Sequence, residues 1–377
     1  MAAAFPQVDF TILPTENEFA PIGFIQTNGR KLTQRFANTC DDLFVDIPVS
    51  TEISAAKKNL SAQLEKDFFS KVPPDEFEYF LFHEGLGEST AFFFWMKKYR
   101  ETTKKKICFI CSHSLRAELM MACPYVDLVM TADPLTFNFI SVYYAEKFHI
   151  RRFLLMHHSQ KNLVAMREHA KNNESYTHIE KVGNFLGIRY DVPFEKYPFT
   201  FPAPQVERAK KIFHDMNLAE GKTVFVCTEA NYFNGLSQFH TDFWLKLRDK
   251  LNAVGYEVVT NGPRENIPNC KNVFLSLFES AAFAGLCGHV VSVPTGFVEA
   301  ICALNMVDKI TWEIIHPSDT DKYWKGFSPN VDGILEGYAR MVDKLISENI
   351  DCTYRKFGNN SAEDDELIEK IVEKILR

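Results

Sequence analysis

The chain has no run of 18 apolar residues, so nothing in it reads as a transmembrane helix. Its opening, MAAAFPQVDF, lacks a basic region followed by an apolar core, and a secretion signal is not expected there. There is no G-x-S-x-G elbow, which counts against a hydrolase of that type. No H-x-x-x-H spacing or carboxylate cluster suggests a metal site. Positive charge is in short supply, with 42 Lys and Arg against 49 Asp and Glu. A net charge of −7 argues against a general nucleic-acid binder, which needs a basic face. Regular cysteine spacing is missing too. Nine cysteines without a framework suit reduced thiols and a cytoplasmic setting. Short-period repeats and low-complexity tracts are absent.

What is present is ordinary soluble composition, 46% hydrophobic and 24% charged, over 377 residues, enough for two domains. The 34 phenylalanines are unusual and supply large apolar surfaces for packing. PIGFIQTNGRKLTQRF has the Asn28-Gly29 pair favoured in two-residue hairpin turns, and STEISAAKKNLSAQLEKDFFSK after it reads as a helix. Then strands and helices alternate: FEYFLFH, STAFFFWMKKYRE, KKICFICS, SLRAELMMACPY and VDLVMTAD. FHIRRFLLMHH adds a further strand. The proline-bearing DVPFEKYPFTFPAPQ is the candidate linker, and beyond it the alternation restarts with VERAKKIFHDMNL, KTVFVCTE, TDFWLKLRDKLNAVG and YEVVTNG. It continues through NVFLSL, ESAAFAGLCG, HVVSVPTG and FVEAICALN. Such alternation predicts parallel sheets with helical crossovers. Cys108 and Cys111 form C-x-x-C inside an apolar strand, so buried thiols are expected rather than a redox pair. In the closing SAEDDELIEKIVEKILR, Leu367, Ile368, Ile371, Val372 and Ile375 share one helical face, expected to dock on a domain.

Ligands of open α/β sheets bind beyond the carboxyl ends of strands. Two strand ends carry suitable chemistry. In FEYFLFHEGLGEST, Gly85 and Gly87 permit a tight turn, and Glu88, Ser89 and Thr90 open the next helix. A carboxylate there suits the helix dipole, and it also suits a general base. The motif lacks the third glycine of a dinucleotide fingerprint. In HVVSVPTGFVEAICAL, Pro294-Thr295-Gly296 closes a strand and opens a helix whose free amides suit a phosphate. Glu299, one turn later, suits hydrogen bonds from ribose hydroxyls. His157 and His158 end a strand in the first half and are candidates to touch an acceptor.

In their order, these segments resemble the heptosyltransferase family of GT-B glycosyltransferases, from about Phe77 to Trp312. FLFHEGLGEST resembles the family's first strand and glycine-acid turn, where the acid is usually aspartate. HIEKVGNFLGI resembles the helix before the linker. FHTDFWLKLRDKLNAVGYEVVTNGP resembles the first helix and second strand of the donor domain. VPTGFVEAICALN resembles the D-T-G-x-x-H-x-A-A-A segment that holds the nucleotide diphosphate. Three positions depart from the pattern. Pro294 replaces an aspartate, Glu299 a histidine, and Ser237, in NYFNGLSQFHTDFW, a phosphate-binding lysine.

The resemblance implies two Rossmann-like domains facing across a cleft. The expected divisions are an acceptor-side domain over 1–203 with an extra N-terminal hairpin and helix, a nucleotide-sugar domain over 204–348, and a tail over 349–377. It implies an inverting, metal-independent glycosyltransferase with Glu88 as the base. Gly87, Thr228, Ser237, Thr295, Gly296 and Glu299 would lie on the donor side, and His157 and His158 on the acceptor side. The implied partners are a nucleotide-sugar donor, as substrate rather than cofactor, and a glycan or glycolipid acceptor of a bacterial surface polymer. Peripheral membrane contact stays open. So do two alternatives: an inactive binding or scaffold protein of the same fold, and a nucleotide-sugar epimerase.

Overall fold

The structure, a computed structural model, describes residues 10–13, 23–27, 62, 65–73, 75–82, 86–111, 114–131, 151–152, 182–183, 186–188, 202–228, 241–262, 267–303, 309–316, 349–358 and 360–377. Contacts divide the chain into two compact units. One comprises Met1–Gly85, Ala91–Asn162 and Val182–Phe194, and the other Leu86–Thr90, Leu163–Lys181 and Glu195–Arg377. One division falls inside the proline-bearing stretch, at Phe194/Glu195. That stretch ends as helix: Ala203–Gln205 belong to a helix with Pro202 at its N-cap and Pro204 in its first turn, where the missing N–H costs nothing.

The first unit's sheet has six strands: β1 (Phe10–Leu13), β2 (Gly23–Thr27), β3 (Phe77–Phe82), β4 (Lys106–Cys111), β5 (Leu128–Thr131) and β6 (Arg151–Arg152). Their order is β1-β2-β5-β4-β3-β6, parallel except for the β1–β2 pair. β2 pairs with β1 on one edge and with β5 on the other. The hairpin turn expected at Asn28-Gly29 lies outside the described residues. Of the helix expected before β3, the described end is a π-helical turn, Glu65–Phe69.

Helix α1 (Leu86–Thr103) follows β3, and α2 (Ser114–Met121) follows β4. The phenylalanines explain why α1 packs as it does. Phe92, Phe93, Phe94, Trp95, Met96 and Tyr99 are all buried, more than one face of a helix can supply, so the helix is covered on several sides. Phe80 of β3 stands among the rings of Phe92, Phe109 and Tyr99, at centroid distances of 5.6, 5.5 and 5.3 Å. At the other end of the strands, buried Asp127 accepts hydrogen bonds from the Ile107 amide (2.8 Å) and from Arg100 in the last turn of α1 (2.8 Å). Cys108 and Cys111 are buried free thiols on β4. A spacing of three on a strand turns them to opposite faces, and burial pushes the Cys108 thiol well up.

The second unit's sheet is wholly parallel: β7 (Thr223–Cys227), β8 (Glu257–Asn261), β9 (Lys271–Val273), β10 (Gly288–Ser292), β11 (Ile310–His316) and β12 (Ile350–Lys356), in the order β12-β11-β10-β7-β8-β9. Its helices are α3 (Ala203–Asp215), α4 (Thr241–Ala253), α5 (Leu277–Cys287), α6 (Gly296–Ala303) and α7 (Ser361–Leu376). On one face Phe225 meets Phe283 of α5, which meets Phe213 of α3. On the other, α4 and α7 cover Val224, Val226, Val258 and Val291. All five residues read as one face of α7 are buried there, and Lys246–Asp365 (2.7 Å) and Lys250–Glu369 ion pairs border the contact. Helices on both faces of a parallel sheet make this a doubly wound α/β unit.

Candidate functional site

The strand order of the second sheet decides where a ligand can sit. From β7 the chain steps to β8 and β9 on one side, then returns to place β10, β11 and β12 on the other. The reversal lies between β7 and β10, and such switch points, at the carboxyl ends of the strands, are where open sheets bind ligands. Cys227 pairs with Ser292 there, and the Val293 amide donates to the Cys227 carbonyl (3.1 Å). This bond carries the pairing of β10 one residue past Ser292, and Thr228 is the residue that follows Cys227.

Thr228 is buried, 1% exposed, and its Oγ1 has no hydrogen-bond partner among the described residues. An orphaned buried hydroxyl is costly. A bound group that accepts or donates at this point would remove the penalty. Across the pairing, α6 starts at Gly296, and its first amides have no partner within the helix. Thr295 precedes it, the residue type preferred at an N-cap, while Pro294 contributes no N–H. Burial pushes the Cys227 thiol up to about 12, so it is a neutral wall of the site and not a nucleophile.

Two side-chain pairs hold this edge firm. The Trp312 indole donates to Ser292 Oγ (2.8 Å), fixing the last residue of β10. On β11 the next residue, fully buried Glu313, accepts a two-pronged contact from Arg355 of β12 (Nε 2.5 Å, Nη2 3.2 Å). Burial raises the Glu313 carboxyl while the guanidinium beside it pulls it back down. At the end of β11, burial and then the nearby Lys356 hold His316 down at about 4, so its imidazole is neutral at pH 7.

The glycine-acid turn begins α1 earlier than its sequence suggests, at Leu86 rather than Ser89. Glu88 is therefore the third helical residue, where an acid complements the dipole. The Ser89 and Thr90 hydroxyl residues are buried, and Thr90 Oγ1 donates back to the Leu86 carbonyl (2.9 Å). By its contacts Leu86–Thr90 groups with the second unit. Within that unit Gly87 and Gly296 meet backbone to backbone. A methyl group at Gly296 would strike the Gly87 amide nitrogen and come within 3.0 Å of the Leu86 carbonyl carbon. Close approach therefore requires glycine at 296, and the neighbour it serves is protein.

Of the residues singled out in the sequence, Thr228 follows β7, Thr295 and Gly296 follow the neighbouring strand β10, and Gly87 lies against Gly296. Glu88 and Glu299 lie in the first turns of α1 and α6. Gly85, His157, His158 and Ser237 lie outside the described residues. Sequence reading missed the Trp312–Ser292 and Glu313–Arg355 pairs. Each joins residues on different strands, so register alone reveals them. Among the described residues, no group of three or more His, Cys, Asp or Glu could hold a metal ion, and no helix is long and apolar enough to cross a membrane.

No protein-family model and no curated protein sequence matches the chain. Solved structures similar to it include a glycosyl transferase family 9 protein from Veillonella parvula DSM 2008, at 10% identity and a TM-score of 0.49, covering 80% of this chain and 95% of that one. E. coli ADP-heptose LPS heptosyltransferase II is similar at 12% identity and a TM-score of 0.45, covering 80% and 98%. E. coli heptosyltransferase WaaC with ADP is similar at 9% identity and a TM-score of 0.42, covering 79% and 99%.

Proposed function

We propose that the chain is an inverting, metal-independent glycosyltransferase that moves a sugar from a nucleotide-sugar donor to a hydroxyl of a bacterial surface glycan or its precursor. The observation that carries the reading is the buried Thr228 hydroxyl, unpartnered among the described residues, at the end of β7, the neighbour of the strand that leads into α6, at the switch point of a doubly wound sheet. That arrangement suits a diphosphate: amide donors and a hydroxyl, in a place where such sheets take nucleotides.

The chemistry then needs one base. The acceptor O–H gives its proton to the Glu88 carboxylate as its oxygen bonds to the anomeric carbon. The bond from that carbon to the diphosphate oxygen breaks on the opposite face, and the anomeric centre inverts. Charge growing on the leaving diphosphate meets the α6 amides and the Thr228 hydroxyl, the electrostatic part of the catalysis. The contact of Gly87 with Gly296 supports this role, because it sets the turn that carries Glu88 against the turn assigned to the diphosphate. Pro294 and Ser237, in place of an acid and a cation, favour a donor other than ADP-heptose. Glu299 in the first turn of α6 suits the donor's ribose.

The test is turnover of a panel of nucleotide sugars with glycan acceptors, by wild type and Glu88→Gln. Glutamine keeps the size but accepts no proton, so turnover should fall on the order of 10²–10⁴-fold with donor binding kept. Equal turnover by the variant, with a lowered melting temperature, would make Glu88 a helix-stabilising acid only. Donor binding without turnover by wild type would make the chain a binding protein. A nucleotide-sugar isomer formed without acceptor would make it an epimerase.

A further inference from the structure

The exposed large hydrophobic residues among those described are Val254, Phe274 and Leu376, and Phe274 is by far the most open, at 75%. Its backbone is held on both sides. The Gly262 amide donates to the Val273 carbonyl (2.9 Å), and the Leu275 amide donates to Asn261 Oδ1 (3.3 Å). Val273 and Leu275 are buried, and Ser276 caps α5 by a reciprocal capping box with Glu279. Asn272 anchors the same corner, with Nδ2 on the Gly262 carbonyl (2.9 Å) and Oδ1 accepting from Thr260 (2.7 Å). A large aromatic ring is thus presented to solvent from a fixed backbone, with both chain neighbours committed to the core.

Its place gives the ring a use. Phe274 directly follows β9, at the same edge of the sheet as Thr228 after β7 and Thr295-Gly296 after β10. The order β10-β7-β8-β9 separates the first strand from the last by three strand spacings, about 14 Å. An extended nucleoside diphosphate is of that length, so a base carried outward from phosphates at β10 and β7 comes to the end of β9, where Phe274 stands. We propose that Phe274 is the platform on which the nucleobase of the donor stacks. The inference deepens the functional reading above and rests on it: the phosphates lie at α6 and Thr228, and the base lies outward along the edge. Any base offers a π-face to such a ring, so stacking adds affinity without selecting strongly among bases.

The experiment is calorimetry on the full chain with ADP, UDP and GDP, and with inorganic pyrophosphate, for wild type, Phe274→Ala and Phe274→Trp. An exposed side chain can change without loss of fold, which circular dichroism checks. Phe274→Ala should bind the preferred nucleoside diphosphate about 5- to 150-fold more weakly, the range of one base–aromatic stack. Its affinity for pyrophosphate should be unchanged. Phe274→Trp should keep nucleotide affinity, with tryptophan fluorescence that responds to nucleotide and not to pyrophosphate. Wild-type nucleotide affinity in a folded Phe274→Ala protein would overturn the stacking role and leave the diphosphate site standing. Failure of wild type to bind either nucleotide or pyrophosphate would overturn both.

Discussion

The Val293 amide, one residue beyond the end of β10, donates across 3.1 Å to the carbonyl of Cys227, the last residue of β7. That bond carries β10 past its end at the point where the strand order reverses. Thr228 is the first residue beyond β7, and Thr295 is the residue immediately before α6. Strand pairing therefore fixes the strand end before the buried hydroxyl against the strand end that leads towards α6.

Gly296 serves packing. A methyl group there meets the backbone of Leu86 and Gly87, which cannot swing aside as the end of a long side chain can. Gly296→Ala should cost about 1–3 kcal/mol of stability, the usual range for overpacking. Thermal and denaturant unfolding measure this directly. An alanine variant as stable as wild type would mean that the two turns do not touch.

His316 predicts an acid-side loss of stability. Its folded pKa is about 4, against an ordinary value near 6.5. Between those values the unfolded chain takes up a proton that the folded chain refuses. Stability should then fall as pH drops from about 6.5 towards 4, by about 3 kcal/mol from this group. His289, also held down by burial, acts in the same direction. Glu313 acts in the opposite one, because its raised pKa lets the folded chain take a proton first. His316→Gln isolates the term. Its stability should decline less steeply than that of wild type over this window. Parallel curves would show that His316 contributes nothing.

The sequence made the strand–helix alternation legible because parallel strands are buried on both faces and read as short apolar runs, as in KICFIC and TVFVC. The docking face of α7 was legible for the same kind of reason. Its five apolar residues recur at helical spacing between charged ones. The strand partners were not legible. Nothing in GFIQT announces that β2 lies between β1 and β5, because pairing across a sheet joins residues far apart in the chain. The two turns could be found as glycine-bearing strand ends. Nothing in either turn showed that Gly87 and Gly296 meet, or that the Thr228 hydroxyl is buried without a partner. Such facts belong to residues far apart in the chain.

The most direct test of the account is a pair of measurements on Thr228→Val, which exchanges the hydroxyl for a methyl group of the same shape. If the unpartnered hydroxyl waits for a phosphate oxygen, the free protein should gain about 1 kcal/mol of stability, because an unsatisfied buried group has gone. Calorimetry should show nucleoside diphosphate affinity falling about 10- to 100-fold, the worth of one hydrogen bond to a charged group. Opposite signs in the two assays are the expected result. A Thr228→Val protein that binds the nucleotide as tightly as wild type would contradict the placement of the diphosphate at this switch point.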